Sequence, residues 1–163
     1  MPSAPFQPEP AGMRLALREA LDHLAAIVGG PFGACIVQGE AILAVAHNTV
    51  LKENDPTCHA EINAIRLASR RLGTYDLSGA AIYSTTEPCP MCFAAIHWAR
   101  IDLLVYGTAI ADVAALGFNE LTISNEQLKA AGRSPVSIYP GFLVEEGRAL
   151  LQQWLATPGH RIY

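Results

Sequence analysis

Two short segments dominate the sequence: Thr57-Cys58-His59-Ala60-Glu61 and Pro88-Cys89-Pro90-Met91-Cys92. Between them, His59, Cys89 and Cys92 offer one imidazole and two thiols. This donor set suits a tetrahedral zinc ion, and three protein ligands leave the fourth position to water, as in catalytic zinc sites. The sequence therefore predicts a Zn²⁺ centre with His59, Cys89 and Cys92 as its ligands, and the rest of the fold must bring these two segments together.

Glu61 follows the zinc histidine by two residues, where its carboxylate can reach the water without ligating the ion. Two thiolates neutralise the formal charge of zinc, which leaves its water less acidified than a three-histidine site would. A neighbouring base is then needed. We interpret Glu61 as the catalytic residue that takes a proton from water, delivers one to a substrate ring nitrogen and later passes one to a departing amine. The products would be a carbonyl compound and ammonia.

Three other interpretations explain these segments less completely. A structural zinc site needs a fourth protein ligand, and Cys58, adjacent to His59 at the start of a helix, would point elsewhere. A redox Cys-x-x-Cys pair has no use for an upstream His-x-Glu sequence. A zinc-stabilised binding module without turnover has no use for a poised base at Glu61.

Composition limits the class of protein further. The chain has 163 residues, 51% of them apolar and 16% charged, which predicts one core-rich globular domain. Its net charge of −4 argues against a nucleic-acid partner. No apolar segment is long enough to span a bilayer, and no secretory signal is evident. Four cysteines without a signal favour metal or catalytic use over disulfides, which implies a cytoplasmic location.

The hydrophobic pattern predicts a three-layer α/β/α fold around a central five-stranded mixed sheet. Residues 1–10 are predicted to be a flexible, proline-rich lead, and residues 11–163 a single domain. Four helices are expected over residues 12–28, 59–72, 89–99 and 143–155. Five strands are expected over residues 32–37, 41–46, 80–85, 103–106 and 136–139. Residues 52–56 are expected to form a polar loop, Thr57 to cap the second helix, and Glu87 to stabilise the N-terminus of the third. Residues 107–135 are expected to form a lid or binding loop without a strand.

With these motifs in place, the chain resembles the cytidine deaminase superfamily and, within it, the bacterial guanine deaminases. The resemblance runs from Gly29 to the C-terminus. The matching segments are Gly29-Gly-Pro-Phe-Gly-Ala34, Asn54-Asp-Pro-Thr57, His59-Ala-Glu61, Glu87-Pro-Cys-Pro-Met-Cys92, Trp98-Ala-Arg100, Gly117-Phe118 and Tyr163. The His-x-Glu and Pro-Cys-x-x-Cys elements define the superfamily of zinc-dependent nucleobase deaminases. The flanking segments narrow the resemblance to the guanine deaminases.

The resemblance implies a set of substrate contacts and a quaternary structure. Asn48 would hydrogen-bond the base, Phe32 would pack against it, and Ala60 would offer its backbone N–H. Tyr163 would reach the purine from a C-terminal tail, residues 157–163, that is exchanged between the subunits of a homodimer. Asn48 as a turn residue at a strand end and Phe32 as a core residue remain the alternatives that do not involve a ligand.

The sequence departs from the guanine deaminases at one position. They carry an aspartate shortly after the Gly-Phe pair. This chain reads Gly117-Phe118-Asn119-Glu120, so the carboxylate in that segment belongs to Glu120. Guanine to xanthine plus ammonia is therefore the first prediction, and other amino-bearing rings such as ammeline, isocytosine or cytosine stay open. A tRNA adenosine deaminase shares the zinc motif, but it would need cations around the pocket to bind phosphate.

Overall fold

A computed structural model describes residues 7–163 of the chain. Five strands form one sheet in the order β2-β1-β3-β4-β5. The strands are β1 (Gly33–Gln38), β2 (Ala41–His47), β3 (Ala80–Thr86), β4 (Leu103–Thr108) and β5 (Ser137–Tyr139). β1 pairs antiparallel with both β2 and β3, while β3, β4 and β5 run parallel. The predicted five-stranded mixed sheet is confirmed.

Seven α-helices surround the sheet in the described part of the chain. They are α1 (Pro10–Asp22), α2 (Val50–Glu53), α3 (Ala60–Leu72), α4 (Pro90–Trp98), α5 (Ile110–Ala114), α6 (Asn125–Gly132) and α7 (Val144–Leu155). α3 and α4 pack on one face of the sheet, and α1 and α7 pack on the other. The result is the predicted α/β/α layering, with a core on each side of the sheet. None of the helices described here is long and apolar enough to cross a membrane.

Small residues let the helices approach the sheet closely. Ala60, Ala64 and Ala68, spaced four apart on α3, are fully buried against the sheet. On the other face, a Cβ atom at Gly33 would lie 2.0 Å from the carbonyl oxygen of Ala16 on α1. Only glycine fits there, and this contact places α1 directly over β1.

Several predicted boundaries differ from the structure. The first helix begins at Pro10, a favoured first position, and not at residue 12 as predicted. Most of the predicted lead, residues 1–6, lies outside the described residues. The helix ends at Asp22 rather than at residue 28. The ring of His23 there hydrogen-bonds the carbonyl of Glu19, the acceptor that a continuing helix would use, and a 3₁₀ turn follows.

The predicted cap of α3 is wrong. His59, in extended conformation, is the N-cap residue, and Thr57 instead donates its hydroxyl to the Asp55 carboxylate. The polar loop predicted over residues 52–56 is partly helical, because α2 extends to Glu53. The strand-free region between β4 and β5 is confirmed, but it contains α5 and α6 rather than only a loop.

Candidate active site

The two motif helices begin next to each other at one edge of the sheet. His59 is the N-cap residue of α3, and Cys89 is the N-cap residue of α4, which follows β3. Cys92 lies in the first turn of α4 and is fully buried. Helix N-termini stabilise thiolate and carboxylate anions, so the fold places the anionic groups where the backbone favours them.

The three predicted ligands meet with the spacing that zinc requires. His59 Nδ1 lies 3.6 Å from Cys89 Sγ and 3.6 Å from Cys92 Sγ. A tetrahedral zinc with ordinary bond lengths separates a nitrogen and a sulfur ligand by about 3.6 Å. The residues present therefore fit a zinc ion with no rearrangement of the backbone, and this trio could hold a metal.

Protonation of the thiols matches this use. The Cys92 thiol donates to Cys89, which lowers the pKa of Cys89 to about 4 and raises the pKa of Cys92 well above its usual value. One thiolate is therefore already formed at neutral pH. The other proton leaves when a metal binds, as is general for cysteine ligands.

Glu61, the second residue of α3, lies beside the three ligands. Its Oε2 is 3.5 Å from Cys92 Sγ, and its Oε1 is 3.0 Å from the hydroxyl of Ser84 on β3. Burial raises the pKa of the Glu61 carboxyl above its ordinary value. A carboxylate with a raised pKa is a stronger base. Its pKa also lies closer to neutral pH, which suits a group that both takes and returns protons.

Six of the residues singled out in the sequence line one small cavity of about 30 Å³. They are Phe32, Asn48, His59, Glu61, Cys89 and Glu120. Two further residues line the cavity and were not among the predicted site residues: Thr86, and Glu87, which was expected only to stabilise a helix. Their positions at the end of β3, just before the zinc cysteines, were the only signal that could have identified them. A cavity of this volume holds a water molecule but not a purine ring, so the described conformation is a closed one.

Asn48 is fixed at the end of β2 and is almost fully buried. Its Oδ1 accepts hydrogen bonds from the backbone N–H of Val50 (3.0 Å) and from the hydroxyl of Tyr163 (2.9 Å). A Cβ atom at Gly29 would lie 2.2 Å from this Oδ1, so glycine is required beside it. Within the described chain the Oδ1 is thus engaged, and the amide NH₂ is the part of Asn48 left to contact a ligand.

The C-terminal tail closes the cavity within the single chain. Tyr163 accepts a hydrogen bond from the N–H of Gly30 (2.8 Å) and stacks edge-on against Phe118 at 5.7 Å between ring centroids. Phe118 also packs edge-on against Phe32. Burial raises the pKa of Tyr163 to about 12, so its hydroxyl stays protonated and can donate to Asn48. The tail, Phe118 and Phe32 form a continuous aromatic cover.

Glu87 plays a different part from the one predicted. We expected it to stabilise the N-terminus of α4. Instead, its carboxylate accepts from the N–H of Ile110 (3.1 Å) and of Asn125 (2.8 Å), the first residues of α5 and α6. Asn125 in turn donates to the carbonyl of Pro88 at 2.6 Å. These bonds tie both ends of the segment that carries Phe118 and Glu120 to the zinc motif.

This arrangement, two thiols and an imidazole at zinc spacing with a buried carboxylate beside them, defines a zinc-dependent hydrolase. Comparison with known proteins gives the family. Residues 8–108 match the model of the cytidine and deoxycytidylate deaminase zinc-binding region. The chain belongs to this deaminase family.

Individual relatives agree with that assignment. The chain is 41% identical over 133 residues to the guanine deaminase of Bacillus subtilis (strain 168), covering 82% of this chain and 85% of that protein. It superimposes on the guanine deaminase from Nitrosomonas europaea with a TM-score of 0.83 at 29% identity, covering 94% of this chain and 87% of that one. It is 44% identical over 96 residues to the tRNA-specific adenosine deaminase of Aquifex aeolicus (strain VF5), covering 58% of this chain and 62% of that protein.

Proposed function

We propose that the protein hydrolyses the free base guanine to xanthine and ammonia. The observation that carries this proposal is the set of groups gathered beside the zinc ligands, which includes a buried base, an amide NH₂ and a second carboxylate. The similarity to two guanine deaminases, over most of the chain in each case, supports the same substrate. The four free cysteines fit the reducing cytoplasm, where we place the enzyme.

Each step of the reaction has a residue in place for it. His59, Cys89 and Cys92 would hold a zinc ion, which when bound would supply a Lewis acid that makes a water molecule nucleophilic at neutral pH. Glu61 accepts a proton from the attacking water and transfers it to the ring nitrogen next to the carbon under attack. Glu61 then takes the proton of the hydroxyl group now bonded to the ring carbon and gives it to the amino group. The C–N bond breaks, the amine leaves as ammonia, and the ring carbon becomes a carbonyl. The hydroxyl of Ser84, 3.0 Å from Oε1, orients the carboxylate.

The surrounding residues are proposed to hold the ring. Phe32 packs against its face, and the amide NH₂ of Asn48 donates to one of its acceptors. The N–H of Ala60, in the first turn of α3 and so without an intrahelical partner, donates to another. Glu120 accepts from the ring's N–H groups. Tyr163 completes the pocket through Asn48.

The carboxylate of Glu120 provides a direct test of base recognition. Glu120 is half-buried, and burial, reinforced by the charge of Cys89, raises its pKa. We expect Glu120→Gln to raise the KM for guanine roughly 10–100-fold, because a hydrogen bond to a charged group contributes about 1.5–3 kcal/mol. The matched control, Glu126→Gln on the exposed side of α6, should leave KM unchanged. An unchanged KM in Glu120→Gln would exclude Glu120 from base recognition.

The tail gives a second prediction. We propose that the enzyme is a homodimer, in part because large apolar side chains such as Trp98 and Tyr75 are 73% and 68% exposed. In the dimer the tail would cover the partner's pocket in place of its own. Deleting residues 159–163 should lower kcat/KM for guanine at least tenfold, since the deletion removes the hydroxyl that contacts Asn48 and Gly30. Light scattering on the same variant reports whether the tail also holds the dimer together. A shortened protein with full activity and an unchanged dimer would remove the tail from the mechanism.

A substrate panel tests the proposed function itself. Ammonia release by the zinc-loaded protein would be measured with guanine, guanosine, adenine, cytosine, cytidine, isocytosine, ammeline and a tRNA anticodon stem-loop. Turnover of guanine well above the others is the expected result. Turnover of another ring with guanine inert would keep the zinc chemistry and assign the changed specificity to the region around Glu120.

The tRNA adenosine deaminases are the second candidate, because one of them is 44% identical to this chain over 96 residues. Electrostatics argue against this activity. Three carboxylates line the cavity, on Glu61, Glu87 and Glu120, and the chain has a net charge of −4. Phosphate groups are repelled by such a rim. Deamination of the stem-loop that falls steeply with added salt would favour this candidate over guanine.

A further inference from the structure

We propose that Glu19, His23 and His47 form a second metal site, which takes a divalent first-row transition ion such as zinc. Glu19 and His23 lie one turn apart at the C-terminal end of α1, and His47 is the last residue of β2. The site is distinct from the zinc ligands of the active site. Two imidazoles and a carboxylate are a donor set that zinc, copper and nickel accept.

The three side chains are already gathered. Each offers one ligand atom within 4.8 Å of those of the other two. The two imidazole rings stack face to face, with centroids 3.6 Å apart and planes 14° from parallel. The rings are thus already adjacent, and rotation about their side-chain bonds would turn their in-plane lone pairs toward one ion.

Hydrogen bonds to Glu19 orient both rings. His47 Nδ1 lies 2.7 Å from the Glu19 carboxylate, and His23 Nδ1 lies 2.8 Å from the Glu19 main-chain oxygen. The same carboxylate oxygen is 3.7 Å from His23 Nδ1, so Glu19 Oε1 lies next to the Nδ1 atom of both rings. The ion would lie among these three atoms, where it would replace the hydrogen bond between His47 and Glu19, and the carboxylate would balance its charge.

The local electrostatics favour a cation. The C-terminal end of a helix carries partial negative charge, which basic residues commonly neutralise. The last turn of α1 has no basic residue and carries Glu19 and Asp22 instead. The three side chains of the cluster are 19–39% exposed, so an ion can reach them from solvent.

An open groove of about 530 Å³ leads to Glu19 and His47. Its charged lining residues are Glu19, Glu53, Asp55, Arg66 and Arg70. The carboxylates on the side of α1 and α2 offset the two guanidinium groups of α3. A hydrated divalent ion can therefore approach the cluster without crossing a purely basic surface.

The position of the site gives the ion a structural consequence. His47 directly precedes Asn48, whose backbone N–H bonds Phe32 at 3.0 Å. An ion shared between His23 and His47 would tie α1 to the end of β2, one residue from the active-site asparagine. The ion would stabilise the contact between α1 and the end of β2 and would take no part in catalysis.

Zinc titration of the zinc-loaded protein by calorimetry tests the proposal. The wild type should bind a second equivalent per chain. His23→Gln and His47→Gln should each weaken that second equivalent at least tenfold and retain the first, and Glu19→Gln should weaken it as well. His97→Gln is the control for histidine content, since His97 bonds Ser134 elsewhere in the fold. It should bind both equivalents like the wild type.

NMR of the histidine rings provides an independent measurement. The ring signals of His23 and His47, and not that of His97, should shift with the second equivalent. Circular dichroism establishes that each variant is folded. Binding of only one equivalent by the wild type would overturn the proposal. So would a second equivalent that survives in both His23→Gln and His47→Gln, or that weakens equally in His97→Gln.

Discussion

Replacing Glu61 by glutamine should lower kcat at least about 1000-fold while one zinc per chain is retained. Glutamine has nearly the same shape, but it can neither take a proton from water nor return one to the leaving amine. General acid–base catalysis by one group contributes about 10²–10⁴-fold, and Glu61 acts in more than one proton transfer. The structure supports retention of zinc, because Glu61 lies beside the His59, Cys89 and Cys92 trio and is not a member of it.

Metal content by emission spectroscopy and steady-state ammonia release are measured on the same preparation of Glu61→Gln. Ser84→Ala is the matched control, since it removes only the hydroxyl that contacts Glu61 Oε1. It should keep zinc and lose roughly 10–100-fold in kcat, less than Glu61→Gln, because it removes one hydrogen bond to a charged carboxylate. If Glu61→Gln loses its zinc, the role assigned to Glu61 is wrong. If it keeps both zinc and activity, the proton transfers belong to another group.

Glu87→Ala should destabilise the fold by about 2–4 kcal/mol, because it leaves the N–H groups of Ile110 and Asn125 without their buried acceptor. For a chain of this length, that corresponds to a fall in Tm of roughly 5–15 °C. The KM for guanine should also rise at temperatures where the variant is fully folded. The reason is that Glu87 holds both ends of the segment carrying Phe118 and Glu120.

Two further variants separate the contributions of Glu87. Glu87→Gln should be intermediate in Tm, because its amide keeps one acceptor while its NH₂ faces a backbone N–H. Glu126→Ala removes an exposed carboxylate from the first turn of the same helix, α6, and should change Tm by less than about 1 °C. A Glu87→Ala variant with the Tm and KM of the wild type would show that α5 and α6 do not depend on this carboxylate.

The zinc centre could be predicted from the sequence because its ligands come from two local patterns. His59 and Glu61 flank one helix start, and Cys89 and Cys92 lie at another, so two secondary-structure assignments were enough to bring the four together. The five strands and their alternation with helices are equally visible as apolar runs along the chain. The α/β/α sheet and the site at the start of α3 and α4 are thus properties of the local sequence.

The features that could not be predicted depend on contacts between distant residues. Glu87 was expected to act on the helix that follows it, but it bonds residues 23 and 38 positions further on. The end of α1 was predicted at residue 28 because apolar residues continue at helical spacing beyond Asp22, where the helix actually ends. The ring of His23, which takes the carbonyl of Glu19, ends the helix earlier. The pairing of Glu19 with His47 spans 28 residues and two elements, and no local pattern indicates it.

The central claim is that water replaces the amino group of a free purine at this zinc centre. Its most direct test is to follow xanthine and ammonia together while the zinc-loaded wild type acts on guanine, with Glu61→Gln as the blank. The account predicts one ammonia per xanthine, formed at least about 1000-fold faster than in the blank. A wild-type protein that holds one zinc in the His59, Cys89 and Cys92 site, yet forms no xanthine from guanine, would contradict it.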